Sequence, residues 1–213
     1  MAFQFPKIYP ILDSSAIPAS NRAEFLRRLC WSLADAGVTL LEYRNKTGSE
    51  SELHGDCAIL RAALPDRQVK LILNDRSDLV EQFGFDGVHV DDGDATPEEA
   101  RQLVGPNRIV GAFGGSDALL PGILSAPVDY LAVGPVYTTR TKQTTKAPIG
   151  PEGVRRLREA AGPDRVLTAA AGITLETAPL VLEAGATTVA VAGAIFRSED
   201  PAAEFRRWVA ALG

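Results

Sequence analysis

Along the chain, short apolar runs alternate with longer stretches in which apolar residues recur every three or four positions. The short runs have the length of buried strands, and the longer ones have the period of amphipathic helices. Eight short runs stand out: Ile8 to Asp13, Thr39 to Arg44, Val69 to Asn74, Gly87 to Val90, Arg108 to Phe113, Asp129 to Val133, Val166 to Ala170 and Thr188 to Val191. Between them the pattern predicts helices from Asn21 to Ala36, Glu50 to Leu64, Asp78 to Phe83, Thr96 to near Gly105, Asp117 to Leu124, Gly150 to Ala161, Leu175 to Ala184 and Asp200 to Leu212. Phe25, Leu26, Leu29 and Leu33 share a face of the first helix, and Leu53, Cys57, Leu60 and Leu64 share a face of the second. Asn21 stands where it can cap the first. Thr96-Pro97-Glu98-Glu99 combines a capping Thr, a Pro at the first helical position and acids in the first turn.

Strands joined through helices form a parallel sheet. Eight such units without a linker or a shift of composition predict one domain over residues 1–213, a single (β/α)8 TIM barrel. Ala36-Gly37-Val38, Phe83-Gly84-Phe85 and Ala184-Gly185-Ala186 each join a helix to the next strand, where Gly supplies the left-handed turn. A doubly wound open sheet is the alternative, but no GxGxxG follows the first strand.

Composition narrows the partners. Of the 213 residues, 46% are hydrophobic and 23% charged, as in ordinary globular proteins, and the net charge is −5. An acidic chain argues against nucleic acid and against an anionic membrane surface. No stretch has the length of a membrane span, and the N-terminal MAFQFPK lacks the regions of a signal peptide, which points to the cytoplasm. Cys30 and Cys57 fall in helical segments without metal-ligand spacing and read as small buried apolar residues.

In a barrel the chemistry sits at the carboxyl ends of the strands. Asp13 ends the first; Glu42, Arg44 and then Lys46 end the second; Asn74-Asp75-Arg76 ends the third; His89 to Asp94 ends the fourth. Strand alternation sets Glu42 and Arg44 on one face, with Leu41 and Tyr43 on the other, against the helices. The sixth strand runs into GPVYTTRTK, Gly134 to Lys142, with four hydroxyls and two cations in six residues. Asp75 and Asp94, with Asp91 and Asp92 nearby, suit a hard cation, and Arg44, Lys46 and Lys142 suit phosphate oxygens. The ends of strands seven and eight, Ala171-Gly172-Ile173 and Ala192-Gly193-Ala194, let backbone amides approach a second phosphate. Each element singly also reads as a surface ion pair, a solvated turn or, for His89, a satisfied core or loop histidine; His54 lies on a helix and reads as a surface residue. Their joint occurrence at five strand ends is what points to a site.

From Tyr9 to Ala194 the chain resembles the thiamine phosphate synthase family. The resemblance rests on EYRNK at 42–46 against Q-x-R-x-K, on Asn74-Asp75-Arg76, on Gly87 to Asp94 against G-V-H-x-x-x-x-D, and on GPVYTTRTK against G-P-[VI]-[FY]-x-T-x-T-K. It implies a transferase joining a hydroxymethyl-aminopyrimidine pyrophosphate to a thiazole phosphate, with Mg2+ on Asp75 and Asp94. It places Arg44, Lys46, Asn74 and Lys142 on the pyrophosphate. The thiazole phosphate falls to Thr139, Thr141, Gly172 and the Ala192-Gly193 backbone. Small phosphorylated substrates are the implied partners, and a homo-oligomer is compatible with the family.

The chain departs from the pattern at several places. Glu42 stands for Gln and Phe113 for a Ser that contacts the pyrimidine substrate. Gly115 stands for a His, Ala171 for the first Gly of a pair, and Gly193 for a Ser on the thiazole phosphate. Three readings follow: a synthase with a reshaped pyrimidine pocket, a same-scaffold enzyme such as a thiazole tautomerase, and a non-catalytic phosphate-ligand binder. The tautomerase relies on the His that Gly115 replaces. The length of the loop after strand six, and its five Thr between Thr138 and Thr145, suggest a closing lid.

Overall fold

A computed structural model of the protein describes residues 3–64, 68–139 and 145–213. Eight strands close into a barrel in chain order: β1 (Ile8–Asp13), β2 (Leu40–Arg44), β3 (Lys70–Asn74), β4 (Gly87–Val90), β5 (Ile109–Gly115), β6 (Tyr130–Val133), β7 (Val166–Ala170) and β8 (Thr188–Val191). Every neighbouring pair is parallel, including the β8–β1 closure, where Ile8 pairs with Val189 and Pro10 with Val191. The open-sheet alternative is thereby ruled out.

The helices are α1 (Arg22–Asp35), α2 (Glu50–Ala63), α3 (Pro97–Val104), α4 (Gly150–Ala161), α5 (Ala178–Glu183), α6 (Gly193–Phe196) and α7 (Pro201–Leu212). Alternation along β2 is as expected. Leu41 and Tyr43 enter the large core between barrel and helices, while Leu40 joins the inner cluster of Tyr9, Ile72, Ile109, Tyr130 and Ala190. Thr96 and Glu99 form a reciprocal capping box, and Ser49 and Glu52 form a second one at α2. Gly37, Gly84 and Gly185 all take positive φ, at 86°, 64° and 102°. Cys30 and Cys57 are fully buried on α1 and α2, and burial pushes both thiols up to about 12.

Two expected helices do not form. The segment from Asp117 to Leu124 carries Pro121-Gly122 in its middle. Pro removes an N–H and clashes with the preceding turn, and Gly122 sits at φ 78°. Only a 3-10 turn remains, Ile123–Ser125, and Leu119 bridges back antiparallel to Gly115. The stretch from Asp78 to Phe83 does not build an α-helix. It forms a 3-10 turn, Ser77–Leu79, followed by turns that bury Leu79 and Val80. Asn21 does not cap α1 through its side chain; it sits left-handed at φ 57° and supplies its carbonyl to the Phe25 amide. Among the described residues, no helix is long and apolar enough to cross a membrane.

The barrel interior is filled from the amino-terminal end by aromatic rings. Phe5 and Tyr9 meet Tyr130 edge to face at centroid distances of 5.3 and 5.8 Å, and His89 stacks on it at 5.6 Å. Tyr130 finds room because β5 has no side chain at Gly111: a Cβ there would lie 1.9 Å from the ring carbon Cζ. Gly111→Ala should therefore destabilise the protein by about 1–3 kcal/mol through overpacking. Urea denaturation measures this, and an unchanged midpoint would contradict the account.

Candidate active site

Asp75 follows β3 at φ 67°, a left-handed position that Asp tolerates better than most residues. Its amide donates to the His89 carbonyl at 2.8 Å, which ties the ends of β3 and β4 together. The turn after β4 is closed by Asp91 and Asp94, whose backbone amide and carboxylate bond at 3.1 Å. Asp75, Asp91 and Asp94 thereby converge, each offering a carboxylate oxygen within 4.8 Å of the others. Asp91 is the member that sequence reasoning left beside the site, because which acid of the DDGD run turns inward depends on the turn at Gly93. Asn74 donates to Asp75 Oδ1 at 2.6 Å, and its own Oδ1 is buried with no partner among the described residues.

Burial raises the Asp75 carboxyl to about 6; the hydrogen bond from neighbouring Asp94 adds to this, and Lys46 opposes it. The Lys46 ammonium bonds Asp75 and lies 3.6 Å from Asp94. Arg44, one residue pair earlier on the same strand face, binds the buried Asp13 at the end of β1. Burial alone would raise Asp13, but bonds from the Ser15 hydroxyl and amide and from Arg44 outweigh it and hold this carboxyl below its ordinary range. Two of the three cations assigned to phosphate oxygens, Arg44 and Lys46, thus stand at one side of the rim, each on a carboxylate.

Glu42 lies one layer below, 3% exposed. Its Oε2 accepts from the Tyr9 hydroxyl at 2.9 Å, Tyr9 meets Tyr130 at 3.0 Å, and Tyr130 meets His89 Nδ1 at 3.1 Å. His89 Nε2 is 3.8 Å from Asp91. His89 is thus a satisfied interior histidine. His54 on α2 is half-buried rather than exposed, edge-on to Phe83 at 5.1 Å. Burial, foremost, raises the Glu42 carboxyl.

On the opposite side, Val136 and Tyr137 continue the ladder beyond β6 by donating to Ala170 and Ala171, at 2.9 and 3.0 Å. Ala171 and Gly172 take positive φ, 77° and 70°. Ala192 leads into α6 with φ −108° and ψ −86°, so Gly193 opens that short helix. Thr139 is described at the start of the loop; Thr141 and Lys142 lie outside the described residues, as does Arg140. Phe113, in the carboxyl-terminal half of β5, has Lys146 Nζ 3.9 Å from its ring centroid, and Lys146 also reaches Asp92 at 3.4 Å.

Residues 8–195 match the family of thiamine monophosphate synthase. The chain is 39% identical over 188 residues to a thiamine-phosphate synthase of Koribacter versatilis, covering 88% of each. It is 36% identical over 178 residues to one of Agrobacterium fabrum, covering 82% of this chain and 81% of the relative. The chain belongs to the thiamine monophosphate synthase family. It is an enzyme of the transferase class. The solved structure of thiamine phosphate pyrophosphorylase from Pyrococcus furiosus covers 97% of this chain with a TM-score of 0.73 at 24% identity, a likeness of fold.

Within that family fold, the paired rim charges make a titration testable. The folded Asp75 carboxyl is raised, so its stabilising share is present below the ordinary 3.8 and lost as pH rises through about 6. Carbon-13 NMR of the carboxyls without divalent cation should give Asp75 a midpoint near 6. A midpoint in the ordinary carboxylate range would contradict the clustered geometry.

Proposed function

We propose that this enzyme is a thiamine phosphate synthase, joining hydroxymethyl-aminopyrimidine pyrophosphate to thiazole phosphate with release of pyrophosphate. The observation that carries the reading is the convergence of Arg44 and Lys46 with Asp75, Asp91 and Asp94 at one side of the barrel mouth. Three carboxylates are hard oxygen donors, a set that fits Mg2+. Asp75 and Asp94 would hold the ion, with Asp91 beside them. When bound, it would neutralise charge on the leaving pyrophosphate.

The rest falls to the chain. Lys46, about a third exposed, exchanges its carboxylates for phosphate oxygens, while Arg44 stays on Asp13 and offers its remaining N–H groups. Lys142, from the TxTK motif, is assigned to the same pyrophosphate. The C–O bond to the pyrimidine methylene breaks with its electron pair leaving on pyrophosphate. The electron-rich aminopyrimidine carries the resulting cation, and the thiazole nitrogen lone pair closes the new C–N bond. No proton transfer and no covalent enzyme intermediate is required. Fixed cations aimed at the departing oxygens are the main catalytic term, and holding the thiazole close is the second. Thr139, Thr141 and the backbone at Gly172 and Ala192-Gly193 hold the thiazole phosphate. The substrates are small and phosphorylated, and we place the enzyme in the cytoplasm as one barrel domain over residues 1–213.

A tautomerase reading is disfavoured by the backbone at position 115. With Gly115 at φ 139°, a Cβ would lie 2.0 Å from the Ala118 carbonyl oxygen, so no histidine fits that conformation.

The purified protein with Mg2+ and both precursors should form thiamine phosphate and pyrophosphate in equal amounts; no product above background would overturn the synthase reading. Lys46→Met and Lys142→Ala should each lower kcat by about 100-fold or more, the scale of a lost transition-state charge contact. Near-normal kcat in steady-state assays would remove that lysine from the mechanism.

A further inference from the structure

Phe113 stands on β5 at an inward-facing position, two residues beyond Gly111 and two before the strand ends at Gly115, and its ring is half-buried at the barrel mouth. One face of the ring carries a cation: Lys146 Nζ stands 3.9 Å from the centroid. The same ammonium reaches Asp92 at 3.4 Å, and Asp92 sits between Asp91 and Asp94 in the acidic turn after β4. Lys146 thus links the acidic turn after β4 to the ring on β5. Its side chain and that of Asp92 are 41% and 69% exposed, so this is a contact that solvent weakens and a ligand can replace.

Resting on the synthase reading, we propose that Phe113 and Lys146 are a specificity-determining pair for the pyrophosphate substrate. Phe113 is the stacking platform for its aminopyrimidine ring. Lys146 covers that platform in the free enzyme and moves to the pyrophosphate when the ring displaces it. An aromatic face suits this ligand because a flat heteroaromatic ring stacks offset on a phenyl ring and needs no hydroxyl partner for its face. The ammonium has a short way to go, since Asp92 already holds it next to the acidic turn. A substrate with a pyrophosphate but no aromatic ring gains only the second contact, so the pair selects for the combination.

The test uses the full chain with Phe113→Leu, Phe113→Ser and Lys146→Met, each checked by circular dichroism. Stacking loss predicts a rise of about tenfold in KM for the pyrimidine pyrophosphate in Phe113→Leu. KM for thiazole phosphate should stay within about twofold. Lys146→Met should raise the same KM, and its effect should shrink in the Phe113→Leu background because the two residues act as a unit. Equal changes in both KM values, or none, overturn the pair. Calorimetry with the unphosphorylated hydroxymethyl-aminopyrimidine supplies a readout without turnover: wild type should bind it more tightly than either Phe113 variant. If wild type makes no product, the synthase reading falls, and calorimetry alone then judges the platform. Equal affinity, or no binding to wild type, overturns it.

Discussion

Everything at the mouth of this barrel rests on how its interior is filled. The Tyr130 ring lies over the bare backbone of Gly111, and from that position its hydroxyl reaches both Tyr9 and His89. The rings of Phe5, Tyr9 and Tyr130 plug the lower barrel, yet they bring hydroxyls that satisfy the polar groups above them. Removing either hydroxyl would cost Glu42 or His89 a buried hydrogen bond. The plug also keeps water from the floor of the site. Charges placed above a dry, close-packed layer interact more strongly than they would over solvent.

On that floor, opposite charges are arranged in unequal pairs. Arg44 is held by a buried Asp13 that Ser15 also binds, so both partners are fixed. Lys46 faces a carboxylate cluster that cannot all be ionised comfortably, as the raised Asp75 carboxyl registers. One cation is therefore anchored and the other is in a contest that an anionic ligand and a small divalent ion would resolve together. An acidic protein can present a phosphate site this way because the cations are local, and their own carboxylates keep the rim from being a general anion trap.

The strands were legible because each is a short apolar run between polar turns, and their ends came within two residues of the observed ones. The rim chemistry was legible for a topological reason: a closed parallel barrel gathers all strand ends at one mouth, so Arg44, Lys46, Asp75 and Asp94 had to meet. The helices after β3 and β5 were misread. At Leu119, Leu120, Ile123 and Leu124 the apolar spacing outweighed the Pro121-Gly122 signal that ends it, and at 78–83 a 3-10 turn forms instead. Contacts that depend on side-chain reach were not legible at all. Tyr9 bonds Glu42 from 33 positions away, and Lys146 crosses from one loop to a ring on another strand. No local pattern encodes either.

The departures from the family pattern divide by what surrounds them. Ala171 is a backbone matter: it holds the left-handed φ a glycine would hold, at a steric cost of roughly 1–2 kcal/mol. Its carbonyl accepts from the Tyr137 amide, and Val136 bonds the carbonyl before it. The ladder on both sides therefore determines the conformation, and the side chain bears the strain. Glu42 is a solvation matter. A carboxylate in place of an amide would put a charge in the barrel interior beneath a pyrophosphate; burial pushes its proton affinity up, against the hydrogen bond from Tyr9, which favours the charged form. In its neutral form the acid pairs an O–H donor with a carbonyl acceptor, where the amide of Gln pairs two N–H donors with one. The interior that excludes water thus works against the charge that distinguishes the two residues, and the substitution alters the site less than the sequence difference suggests.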